Sequence, residues 1–248
     1  MATRNELADK SAEAFHGAAA TPDPVAQQQL LVEAQRLAGQ SELAGAYGFL
    51  QRVVGVLAVA LPFVLAIGNF ASGGHHLQGS ISAFYYTHMG NWFVGTLCAL
   101  AVFFLSYNIK PLPDHHVDKM ITRATSVMAV MVAMFPTTSS DPDQSGASQW
   151  VGRIHITSAT TLFALLGVLS MFFFTKFDPA VGMTAKKAQR NRLYRICGGA
   201  IFASIVLIAV VYATPVPESW HSVFFLESVA VIAFGVSWLV KGGVGLTD

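Results

Sequence analysis

From Val53 to Ile109 the chain contains no Lys, Arg, Asp or Glu, and within that stretch two long apolar runs flank a connection holding His75, His76, Tyr85, Tyr86 and His88. In water, so long an uncharged segment would have to be buried on every side. Hydrocarbon accepts it, provided that the backbone amides are paired within helices or a closed barrel. Each run is about 20 residues long, enough for a helix to cross a bilayer core of about 30 Å. The pattern reads as two membrane spans joined by an uncharged loop of ligand-capable side chains. The whole chain follows suit: 53% of its residues are hydrophobic and 12% charged, against about 25% charged in ordinary soluble domains.

Six windows are apolar enough to be spans: Gly48 to Phe70, Asn91 to Ile109, Lys119 to Pro136, Arg153 to Thr175, Tyr194 to Ala213 and His221 to Lys241. No period-two alternation marks a barrel, so the expected fold is all-α, a polytopic transmembrane helical bundle of six spans. Residues 1–47 form an N-terminal segment, 48–242 the six-helix domain and 243–248 a short tail. The N-terminal segment has no apolar core followed by a small-residue cleavage site, so it is not read as a secretory signal. Within it Val25, Leu30, Leu31, Ala34, Leu37 and Ala38 recur at helical spacing after Asp23-Pro24. This predicts an amphipathic helix lying on the membrane or the bundle, preceded by a loosely ordered stretch around Ala18 to Pro22.

Basic residues orient the bundle, because Lys and Arg crowd cytoplasmic loops. Arg36 and Arg52, then Lys110, Lys119 and Arg123, then Lys176, Lys186, Lys187, Arg190, Arg192 and Arg195, and finally Lys241 all fall on one side of a six-span chain. The opposite connections, Ala71 to Gly90, Thr137 to Gly152 and Thr214 to Trp220, contain none. Both termini are therefore expected in the cytoplasm, with the protein in a bacterial inner membrane. A net charge of +1 and no dense basic face argue against a nucleic-acid partner. Cys98 and Cys197 lie inside apolar runs and read as small buried hydrophobes.

This topology collects reactive side chains on the outer face. His75, His76, Tyr85, Tyr86 and His88 are candidate ligand-binding residues, while His155, His221 and Glu227 are candidate catalytic ones. Glu227 lies roughly 9 Å below His221 along a helix. An acid at that depth is expensive unless paired, so it is a functional candidate by default; a bond to Ser158 or Thr160 on a neighbouring helix would also satisfy it. Glu218 and His221, three residues apart, share a face if both are helical. A metal site from His75, Asp141, His155 and His221 is chemically open, although no helical His pair at i and i+4 marks it. Ser139-Ser140-Asp141-Pro142-Asp143 is rich in turn formers. On the inner side, Asp114-His115-His116-Val117-Asp118 fits a short polar hairpin. Gly198, Gly199 and Ala203 offer a small-residue face for close helix packing.

Gly79-Ser80-Ile81-Ser82-Ala83-Phe84-Tyr85-Tyr86-Thr87, Phe135-Pro136-Thr137 and Phe234-Gly235-Val236-Ser237-Trp238-Leu239-Val240-Lys241-Gly242 resemble recurring motifs of uncharacterised bacterial multi-span proteins. His155 at the opening of the fourth span is similar to the broad Frag1-like six-helix group. That resemblance implies the six-helix plan over about Gly48 to Gly242 and assigns no catalytic residue. The zinc hydrolases of the alkaline ceramidase and progestin-receptor-like type carry a His-x-x-x-His pair; neither His155 nor His221 has a histidine four residues away.

The expected role is that of a lipid-interacting or accessory membrane factor with an outward-facing His/acid cluster. Its expected partners are membrane lipids and a protein at the outer loops. The alternative is a lipid-active enzyme of the outer leaflet, metal-dependent or not, using His155, His221 and Glu227 for acid/base or metal chemistry. A transporter, or a b-type haem protein with His155 and His221 as axial ligands, is a further alternative. The sequence names no cofactor, substrate or oligomeric state.

Overall fold

The computed structural model describes residues 4–107, 115–138, 149–176 and 183–245, with the side chains of 115, 116 and 118 outside that description. The motif Ser139 to Asp143, with its candidate metal ligand Asp141, lies outside the described residues, as do Lys110, Asp114 and the side chains of His115, His116 and Asp118. Seven α-helices and no strand occur among the described residues. Four of the helices are long and apolar enough to cross a membrane, which supports a membrane protein.

Contacts divide the chain into two units, Met1–Arg52 and Val53–Asp248. The first is a helical hairpin of α1 (Arg4–Ala20) and the beginning of α2 (Pro24–Ala71). The turn between them is written locally. Asp23 Oδ1 accepts from the Val25 amide at 3.0 Å, and Pro24 follows at the first helical position, where its missing N–H is no loss. Small residues let the two helices approach: Ala18 and Ala34 are almost fully buried, and the Ser11 hydroxyl donates to the Ala34 carbonyl at 2.9 Å. Ser41 repeats this with the carbonyl of Arg4 at 3.2 Å.

Two expectations change here. Ala18 to Ala20 are the end of α1 rather than loosely ordered chain, since alanine has the highest helix propensity and its small side chain fits this seam. The helix that starts after Asp23 does not end before the first span. It continues to Ala71 and contains Pro62 without stopping.

The second unit holds the rest of α2, then α3 (Gly90–Ser106), α4 (His115–Met134) and α5 (Gln149–Val168), which runs into a π-helical turn at Leu169–Phe173. It finishes with α6 (Ala185–Ala213) and α7 (Ser222–Lys241). The helices apolar and long enough to span are α2, α5 with its π turn, α6, and α7 with the short 3-10 turn before it. α3 is apolar but only 17 residues long, and α4 is not among the four.

Neighbours in sequence are neighbours in space: α3 packs on α4, α4 on α5, α5 on α6 and α6 on α7. α7 also meets α2 at a pair of glycines. A Cβ on Gly235 would lie 2.8 Å from the Gly55 carbonyl, and one on Gly55 would lie 2.9 Å from the Gly235 carbonyl. The backbones touch there, and no side chain fits between them. The α5–α6 contact uses Gly198, where a Cβ would come within 2.8 Å of Met171 Cβ. Gly199 and Ala203 do not share this role: nothing lies closer than 3.9 Å to a Cβ on Gly199, and Ala203 is exposed.

The core is aromatic at one end of α7. Trp238, 1% exposed, meets the rings of Tyr107 at 4.7 Å, Phe174 at 5.4 Å, and Phe104 and Phe234 at 5.8 Å. Its edge-to-face geometries are those that aromatic quadrupoles favour.

Candidate functional site

The other end of α7 carries Glu227 and the connection 72–89. The connection begins at Asn69, a buried polar residue whose Nδ2 donates to the His76 carbonyl at 3.2 Å. Gly73 then takes a positive φ of 90°, a conformation glycine adopts without strain. Further along, Ser82–Tyr86 form a 3-10 turn. Its start is capped by Ser80, whose Oγ accepts from the Ala83 amide at 3.1 Å. Its end is closed by Thr87, whose hydroxyl donates to the Phe84 carbonyl at 2.8 Å and accepts from the Met89 amide at 3.1 Å.

Two long-range bonds fix this segment to α7. The Phe224 amide donates to the Gly79 carbonyl at 2.9 Å. The Ile81 amide donates to Glu227 Oε2 at 2.6 Å. Between them Phe84, fully buried, meets the Phe224 ring at 5.9 Å. Both bonds use groups that would otherwise be orphans: Phe224 lies in the first turn of α7, where amides have no intrahelical acceptor, and Ile81 precedes the 3-10 turn. Glu227 is thus satisfied by a loop amide rather than by Ser158 or Thr160. A turn amide that needs an acceptor is a better partner for a carboxylate than a hydroxyl already able to bond its own helix.

The remaining candidates go to separate places. The Tyr86 hydroxyl donates to the Thr137 carbonyl, and its ring meets Tyr85 edge-on at 5.3 Å. His155 is buried, with Nδ1 2.6 Å from the Phe135 carbonyl, so a protonated Nδ1 donates there and leaves Nε2 as the basic nitrogen. His75, His76 and His88 are exposed. His221 is the hinge before α7, in the left-handed region at φ 47° and ψ 35°, with Nδ1 buried and without a hydrogen-bond partner. This left-handed residue breaks the chain between the 3-10 turn Glu218–Trp220 and α7. The shared helical face expected for Glu218 and His221 is therefore not formed.

His155, His221 and Glu227 have different local roles, and among the described residues no hydrogen bond links any two of them. Among the described residues, no three His, Cys, Asp or Glu side chains come together in a way that would hold a metal ion. Sequence reasoning missed Asn69 and the carbonyls of Phe135 and Thr137. Asn69 had a signal, as an amide side chain in an apolar span four residues before Gly73; the carbonyls had none, because every residue has one. Comparison with family models, curated proteins and solved structures finds no match to this chain.

Proposed function

We propose that this chain is an accessory or lipid-interacting factor of the bacterial inner membrane, with six spans, both termini cytoplasmic and the 72–89 segment forming a cap on the outer side. The observation that carries this reading is the bond from the Ile81 amide to Glu227 Oε2. The one acid within α7 holds down a loop, and His155 and Tyr86 contact backbone carbonyls on the segment that follows α4. The groups that lipid chemistry would need are thereby used in building the cap. Its surface carries exposed histidines, and Trp92 at the start of α3 and Trp220 just before α7 are both more than half exposed, residue types suited to headgroup level and to partner contact.

The six-span count rests on α3 and α4 packing in sequence order between the longer helices, and the orientation on the distribution of Lys and Arg. The Frag1-like resemblance accords with the same plan and is part of this proposal. Two measurements test it. Purified protein in liposomes with fluorescent phospholipids is expected to neither hydrolyse nor transfer them; turnover that disappears in His155→Ala and Glu227→Gln would replace this reading with the outer-leaflet enzyme. In intact cells, a cysteine at Ser80 is expected to react with an impermeant maleimide and one at Lys186 to be protected. The reverse pattern overturns the orientation.

A further inference from the structure

The beginning of α6 carries Lys186, Lys187, Arg190, Arg192 and Arg195, and the helix contains no acid at all. Helix starts favour negative charge, because their free amides point outward with a partial positive charge. Lys186, Lys187 and Arg190 each have an interaction within the chain; Arg192 and Arg195, further along the helix, are the two cations left for an anion to pair. Lys187 is partly employed: its Nζ donates to the Phe174 carbonyl at 3.0 Å. Arg192 and Arg195 are exposed and have no hydrogen bond or ion pair among the described residues. They lie one turn apart on the same face.

Both border a cleft of about 410 Å³. Asn191, 6% exposed, also lines it. Its Nδ2 donates to the Thr175 carbonyl at 3.1 Å, which fixes the amide, while Oδ1 is buried without a hydrogen-bond partner. A buried acceptor left unpaired costs roughly 1–3 kcal/mol, so this oxygen calls for a donor. The cleft is completed by Met183, Ala188 and Ile196, and the helix face continues through Gly199, Ala203 and Val206. Ile196 and Val206 are each about three-fifths exposed. Ile196, Gly199, Ala203 and Val206, three or four residues apart, form one helix face that leads away from the two arginines.

We infer that this cleft binds an anionic phospholipid whose headgroup carries a free hydroxyl, as in phosphatidylglycerol. The phosphate sits between Arg192 and Arg195, the hydroxyl donates to Asn191 Oδ1, and an acyl chain lies along Ile196, Gly199, Ala203 and Val206. The inference depends on the membrane reading above but not on the outer cap.

The test is lipid binding to the purified full chain in detergent, followed by native mass spectrometry. Phosphatidylglycerol is expected to bind more tightly than phosphatidylcholine, and the exposed double variant Arg192→Gln/Arg195→Gln to weaken it about thirtyfold. Phosphatidylmethanol, with the same charge but no hydroxyl, is expected to bind several-fold more weakly than phosphatidylglycerol. Soluble glycerophosphoglycerol is expected not to compete at equal concentration. Equal binding of phosphatidylcholine, or no loss in the double variant, overturns the site; equal binding of phosphatidylmethanol overturns the hydroxyl assignment; full competition by the soluble diester overturns the lipid assignment. All these outcomes leave the reading of the cap untouched.

Discussion

Glu227 and Trp238 stand about 16 Å apart along α7, and they hold their surroundings by opposite means. Around Trp238 the contacts are ring on ring, with four aromatic neighbours and a buried indole N–H that has no hydrogen-bond partner. Around Glu227 the contacts are directional, with backbone amides given to a carboxylate and a carbonyl. Ring packing depends on filled volume and tolerates an unpaired N–H. The cap adds to the packing of Phe84 on Phe224 two single bonds, each of which can be removed alone. One end of α7 is therefore held by bulk alone, and the other by bulk together with bonds that can be removed one at a time.

The comparison is most easily broken at the aromatic end. Trp238→Ala should cost about 3–5 kcal/mol through lost burial and the cavity left behind, read as a large fall in unfolding temperature in detergent. A small fall would mean that the rings do not form the core. Gly235→Leu is expected to cost about 3 kcal/mol, since its side chain must displace Val59 or part α7 from α2 at Gly55; Gly199→Leu, on the open face of α6, should cost far less.

At the cap, Glu227→Ala should cost about 1–3 kcal/mol by orphaning the Ile81 amide. Its signature is local. Hydrogen exchange should rise over 79–87 while the segment around Trp238 stays protected. Glu227→Gln retains an acceptor oxygen and should recover most of that protection; equal exchange in the two variants would mean that the bond to Ile81 does not hold the cap. Tyr86→Phe should have the smallest effect, about 0.5–1.5 kcal/mol for one hydrogen bond, and should loosen the segment near Thr137 without exposing Ile81.

The helical class was legible because an uncharged run as long as Val53 to Ile109 leaves few other solutions. The start of α2 was equally plain in Asp23-Pro24. Its continuation past Gly48 was not, because the polar Gln-rich half gives way to an apolar half that holds Pro62 and several glycines and valines, poorer helix formers in water, so a change of solvent looks like a change of element. The importance of Glu227 was visible from its depth in an apolar helix. Its partner was not: the Ile81 amide is a backbone group, and only the folded path of the loop brings it to α7. The local roles of His155 and His221 were not legible for a similar reason, since topology placed both on one face, and topology sets depth rather than direction.

The π-helical turn at Leu169–Phe173, closed by the Phe174 amide on the Leu169 carbonyl at 2.9 Å, amounts to one residue more than a regular helix would use. It sets the phase of everything after it. Phe174 reaches Trp238, and the carbonyls of Phe174 and Thr175 reach Lys187 and Asn191, while Gly167 on the near side stays against Phe202. Deleting a single residue from the turn would give a more regular α-helix with its two halves rotated by about 100° relative to one another, so only one of these two sets of contacts could survive. The irregular spacing lets α5 grip α6 at two places that no straight helix of the same sequence would bring to the same side.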